Sequence, residues 1–122
     1  MPDRKTPNPA ATSDRVETTH EIRVEDAHEA DVDAGSVDLV ATSPPYPMVE
    51  MWDGTFAAQS PAAAEALEAG DGDAFEAMHA LLDDDWEAVA AALREGGIVA
   101  VNVGDATRRL DGGFRLYRSN FQ

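Results

Sequence analysis

Val37-Asp38-Leu39-Val40-Ala41-Thr42-Ser43-Pro44-Pro45-Tyr46 is the stretch on which the fold turns. Its first six residues are apolar nearly throughout, which predicts a strand buried on both faces. Its last four end that strand in a stiff turn bearing one hydroxyl and one aromatic ring. Pro44, Pro45 and Pro47 forbid regular structure beyond it. A Pro-Pro pair after a strand is also a plain chain-turning device. Pro44-Pro45-Tyr46-Pro47 further fits a Pro-x-x-Pro ligand for an aromatic-lined groove.

Working outward, Ile98-Val99-Ala100-Val101-Asn102-Val103 reads as a second buried strand, ended by Gly104-Asp105. Before it, Phe75, Met78, Leu82, Trp86, Val89 and Leu93 recur at three- and four-residue steps. That spacing predicts an amphipathic helix of about 22 residues. Asp71 or Asp73 caps its start and Gly96-Gly97 stops it. The alternation of His20 to Val24 predicts a short strand ending at Asp26. Ala27 to Ala34 is a weak helix or irregular link closed by Gly35. Met48 to Phe56 is an apolar cluster, residues 57–72 a surface insertion with some helix, and Asp111-Gly112-Gly113 a turn into a short extension at Phe114–Tyr117. Residues 1–18 are polar, without periodicity, and expected to be disordered; residues 19–122 form one domain. Strand, link, buried strand, long helix, buried strand is the grammar of an α/β open parallel sheet, in which ligands sit at the carboxyl ends of the strands. Asp26, Ser43–Tyr46, and Asn102 with Asp105 all fall at such ends.

The chain has 122 residues, with 24 acidic and 9 basic side chains and a net charge of -15. Many alanines and a single lysine fit a salt-loving organism, or an ordinary acidic protein. At molar salt the Debye length falls to about 3 Å and the self-repulsion is largely screened. The acidity argues against a broad basic patch for phosphate without excluding DNA as a substrate. No cysteine is present, so there is no disulfide framework or thiolate metal site. His20, His28 and His79 are too scattered for a metal centre. No stretch is apolar enough to span a membrane, and no secretory signal is visible, so a cytoplasmic protein is expected. Trp86 reads as core rather than a stacking platform, Asp83-Asp84-Asp85 as a solvated face, and Arg108 and Arg109 as weak candidates for a phosphate.

Val37 to Tyr46 resembles motif IV of the amino-methylating DNA methyltransferases, which modify N4 of cytosine or N6 of adenine. Pro47-Met48-Val49-Glu50-Met51-Trp52-Asp53 resembles the segment that follows in archaeal members. Trp86 to Gly97 and Ile98 to Asp105 are similar to the family's next helix and strand, so the resemblance covers roughly residues 20–118. It implies a partial Rossmann-like, S-adenosylmethionine-dependent methyltransferase fold acting on DNA. By that resemblance Ser43 and the Pro44 carbonyl hold the target amine, Pro45 stiffens the loop and Tyr46 stacks on the flipped base. Two acceptors on the amine localise its lone pair for attack on the methyl donor. Asp26 matches an acidic position near the adenine of S-adenosyl-L-methionine, or merely starts a turn. Asn102 and Asp105 fall at the pocket rim, or serve strand-end turns. The Ser-Pro-Pro-Tyr form is commoner in the cytosine-N4 group.

The family's Phe-x-Gly-x-Gly-like cofactor loop is not in this sequence. The resemblance therefore implies that central strands are missing and that the Val37–Thr42 strand has an unpaired edge. Three organisations are expected: a half-enzyme completed by a second chain carrying the glycine loop; a C-terminally truncated member, inactive alone, which is the reading adopted; or a non-enzymatic proline-turn module. A restriction partner cannot be read from the chain.

Overall fold

In the computed structural model, which describes residues 14–122, strand β1 (Val37–Thr42) lies parallel to strand β2 (Leu93–Val101). Parallel neighbours need a long crossover. Here it runs through a 3₁₀ turn (Glu50–Trp52) and helices α1 (Asp53–Gln59), α2 (Pro61–Glu68) and α3 (Ala74–Ala92). An antiparallel hairpin, β3 (Ala106–Leu110) with β4 (Gly113–Tyr117), follows β2, and a 3₁₀ turn (Ser119–Phe121) closes the chain. The mixed helix-and-strand order fits a partial methyltransferase-like unit.

The core lies on the helical side. Met48, Phe56, Ala63, Phe75, Met78 and Leu82 pack with Ala106 and Tyr117 of the hairpin. The two parallel strands are not buried on both faces as their composition suggests. Leu39 is 57% exposed and Ile98 63%, and they are partners in the ladder, so they share one open face. Val40 lies opposite, beside Val89 of α3. Within the described residues β1 has only β2 beside it.

The expected strand at residues 20–24 does not form. Ile22 and Val24 are almost fully exposed, with no neighbouring strand to bond them. Arg23 instead donates to the Asp31 carbonyl at 2.9 Å and pairs with Glu21. The link after Asp26 is a 3₁₀ turn (Ala27–Glu29), and Gly35 has φ +66° as a closing residue should. The expected disorder of residues 1–18 falls largely outside the described residues; Asp14–Thr18 are exposed and irregular.

Residues 57–72 carry helix and, apart from Ala63, are exposed or half-buried, as a surface insertion with some helix should be. Ser60 caps α2 by accepting the Ala63 N–H at 3.1 Å, Pro61 opens the helix, and Ala63 is fully buried. Before α3, the Asp71 carboxylate accepts the Asp73 N–H at 2.9 Å. Gly96-Gly97 does not stop α3, because Leu93 is already extended. The glycines lie inside β2, where the register slips between Val37↔Leu93 and Leu39↔Ile98. Gly97 has to be glycine there: a Cβ would stand 3.0 Å from the Arg94 carbonyl and 3.2 Å from that of Val37.

Candidate active site at the end of strand β1

The β1–β2 ladder runs to the edge of the motif: the Asn102 N–H donates to the Thr42 carbonyl at 2.9 Å. Beyond it Ser43 is exposed, Pro44, Pro45 and Tyr46 are half-buried, and Pro47 and Met48 are buried. The Val49 N–H donates back to the Tyr46 carbonyl at 3.2 Å. This closes a turn with Pro47 second and Met48 third, the position that demands a positive φ in a type II turn. Met48 has φ +68°, a conformation that costs a non-glycine residue about 1–3 kcal/mol. Full burial of its side chain, worth about 1.5–3 kcal/mol, offsets that cost. Its N–H also points at the Met78 sulfur, 3.3 Å away.

The far end of the loop is tied by an ion pair. Arg108 of β3 donates both terminal nitrogens to the Asp53 carboxylate at the start of α1, at 2.7 and 2.6 Å. The Arg108 side chain is only 10% exposed, and its hydrogen bond to Asp53 holds its pKa above the ordinary value. Arg108 is therefore committed within the fold rather than open to a phosphate. Sequence reasoning missed this pair, because 55 residues separate the partners.

Within the loop, the Ser43 hydroxyl and the Tyr46 phenol lie 3.1 Å apart. The Tyr46 ring packs close to Gly104, where a Cβ would sit 3.2 Å from two ring carbons. A serine hydroxyl has one proton and two lone pairs. With its proton on the phenol oxygen, Ser43 keeps both lone pairs for an incoming N–H donor. The hydroxyl, the Pro44 carbonyl and a half-buried ring thus stand together at a strand end, in the place the sequence suggests.

Asp26 shares a cavity of about 490 Å³ with Ser43, Pro44 and Pro45, walled by Phe56 of α1 and Trp86 of α3. It is exposed and opens the Ala27–Glu29 turn, as the turn-starting reading expects. The segment carrying it is held by His28, whose Nδ1 lies 3.0 Å from the Asp85 carboxylate. That contact raises the His28 pKa. Asp26, His28 and Glu29 bring ligand atoms within 4.8 Å of one another, but all three are exposed and His28 is engaged by Asp85.

Asn102 stands beside Ser43 on an open surface. Asp105 accepts the Asn120 N–H at 3.2 Å and so serves the closing turn. A second cavity of about 470 Å³ lies across Pro44 and Trp86, which line both. It holds the His79–Ser119 pair, Nε2 to Oγ 3.1 Å, with burial lowering the His79 pKa. No local signal in the sequence announces that pair. Among the described residues no helix is long and apolar enough to cross a membrane.

An α/β unit with a rigid Ser-Pro-Pro-Tyr turn at the end of a parallel strand finds its likeness among methyltransferases. The chain is 39% identical over 105 residues to the Type II methyltransferase M.MthZI of Methanothermobacter thermautotrophicus, covering 84% of this chain and 30% of that protein. It is 38% identical over 115 residues to the Type II methyltransferase M.MjaI of Methanocaldococcus jannaschii, covering 84% of this chain and 38% of that protein. The chain thus spans about a third of the length of these curated relatives. No family model matches it, and no solved structure does.

Proposed function

We propose that these residues form the amine-holding part of a DNA methyltransferase that acts on an exocyclic amine, cytosine N4 in the first instance. One observation carries the reading. The Ser43 hydroxyl is presented to solvent at a strand end by a loop fixed on both sides, in a chain similar to methyltransferases. An aromatic amine is a poor nucleophile because its lone pair is delocalised into the ring. Ser43 Oγ and the Pro44 carbonyl accept its two N–H bonds, which draws the lone pair onto nitrogen and aims it. Pro45 keeps the Pro44 carbonyl turned outward at little entropic cost. Tyr46 offers its ring to the extruded base.

S-adenosylmethionine is the proposed source of the methyl group. The residues described do not by themselves make a holding site for it. Asp26, the one cofactor candidate, lines the Ser43 cavity, and no Phe-x-Gly-x-Gly-like loop lies at a strand end in the sequence. No step is therefore derived through it. The proline-turn module is disfavoured by Pro47, which is buried against the core and not available to a docking groove.

A chimera tests the proposal, with residues 14–122 replacing the matching segment of M.MthZI. Mass spectrometry of digested plasmid is expected to show N4-methylcytosine, and Ser43→Ala to abolish it with DNA retention and melting temperature unchanged. N6-methyladenine instead would redirect the choice of base. A folded chimera that holds DNA and S-adenosylmethionine but methylates nothing refutes the reading, as does equal loss of methylation and DNA retention in Ser43→Ala.

A further inference from the structure

The Ser43 hydroxyl has one hydrogen-bond partner among the described residues, the Tyr46 phenol oxygen 3.1 Å away. That partner is itself held in place. The Tyr46 ring lies beside Gly104, just beyond the end of β2, where even a methyl group would stand 3.2 Å from two ring carbons. Gly104 is not among the glycines with a positive φ, so its backbone accepts alanine. What its missing side chain makes room for is the ring. The ladder that brings Gly104 there runs up to the motif, through the Asn102 N–H on the Thr42 carbonyl.

We propose that the Tyr46 hydroxyl and Gly104 are positioning residues that make Ser43 an acceptor alone, so that the site holds amino bases and turns away oxo bases. The choice of a base as ligand rests on the proposed function. A free serine hydroxyl rotates and presents either its proton or a lone pair. Beside the Pro44 carbonyl, which only accepts, such a hydroxyl would donate to the oxygen of an oxo base and hold it too. With the Ser43 proton engaged by Tyr46 Oη, Ser43 Oγ and the Pro44 carbonyl present lone pairs only. An exocyclic amine supplies an N–H to each. A carbonyl oxygen in its place meets two acceptors and leaves all of them without a donor, the mismatch that a polar site rejects most strongly. Tyr46 thereby acts on specificity through its hydroxyl, apart from any use of its ring.

The test is an NMR titration of the 122-residue chain in 1 M KCl with 1-methylcytosine and with 1-methyluracil, which carry an amine and an oxygen at the same exocyclic position. Shifts at residues 43–46 give the two dissociation constants. One neutral hydrogen bond gained or lost changes affinity about fivefold, so two should give 1-methylcytosine a preference of about 25-fold. Tyr46→Phe keeps the ring and frees the Ser43 proton, and the preference should fall to about fivefold. Gly104→Ala displaces the ring from Ser43 and should lower the preference in the same direction, with no further fall when combined with Tyr46→Phe. The N3 difference between the two bases is common to all variants and cancels. A general loss of packing would weaken both bases alike and leave their ratio unchanged. A ratio unchanged in a folded Tyr46→Phe chain overturns the proposal, as do equal binding of the two bases by the wild type and the absence of shifts at residues 43–46 with either base. Should circular dichroism show one variant unfolded, the other decides. A chimera that methylates nothing, beside a chain whose preference still depends on Tyr46, counts against methyl transfer alone. A methylating chimera beside an unchanged ratio counts against the hydrogen bond alone.

Discussion

Asp53→Ala is expected to destabilise the chain far more than Arg108→Leu, although both remove the same ion pair. The difference lies in what each leaves behind. Without Asp53, Arg108 remains a cation in a side chain only 10% exposed, with its Nε already buried and unpartnered. Stranding a buried charge costs about 3–5 kcal/mol, and partial access to water sets the expectation near 3 kcal/mol. Without Arg108, Asp53 is left 28% exposed in the first turn of α1, where the helix end favours a negative charge by about 0.3–1 kcal/mol. Leucine also refills part of the apolar space, so the loss should be near 1 kcal/mol. Urea unfolding at 1 M KCl is the assay, because a Debye length of about 3 Å screens the background of acids but not a contact this short. With a slope of about 1.5 kcal/mol per molar urea, the midpoints should fall by about 2 M and about 0.7 M. Equal shifts, or a larger one for Arg108→Leu, refute the assignment of Arg108 as the buried partner.

Met48→Gly should be no less stable than Met48→Ala in thermal melts, although glycine is ordinarily the worse choice. Both lose a buried side chain at about 2–5 kcal/mol, and only glycine relieves the φ of +68°. A clear advantage for alanine would mean that the turn is not left-handed. His28 has its folded pKa raised above the ordinary 6.5 by Asp85. The stabilisation from that contact is therefore complete below about pH 6.5 and lost as pH rises through the raised folded value. An NMR titration should place His28 above 6.5 and Asp85→Asn should return it; an unmoved midpoint would remove Asp85 as the cause.

Local pattern made the central pieces readable. β1 and β2 are continuous apolar runs, α3 carries strong periodicity, and the site motif is four consecutive residues at the end of β1. What escaped was set by distant partners. β3 reads poorly because Thr107-Arg108-Arg109-Leu110 looks polar until Asp53 neutralises Arg108. α2 reads as surface because alanine carries little hydrophobic signal, and most of it is exposed or half-buried, yet Ala63 is fully buried. The strand expected at residues 20–24 had correct alternation and no neighbour to bond it. Gly96-Gly97 looked like a helix stop, but serves a register slip that only the facing strand defines. The candidate site divides the same way: Ser43–Tyr46 was legible, whereas the Tyr46 seat on Gly104 and the Met48–Met78 contact required the fold.

The left-handed Met48 turn also sets when the disorder of the loop is removed. Ordering backbone costs roughly 1–2 kcal/mol per residue at 25 °C. In a slack loop that cost would fall at the moment a base arrives and subtract from its binding. Here a buried methionine behind a fixed proline makes the ordering part of folding itself, so that cost is already met before any ligand arrives.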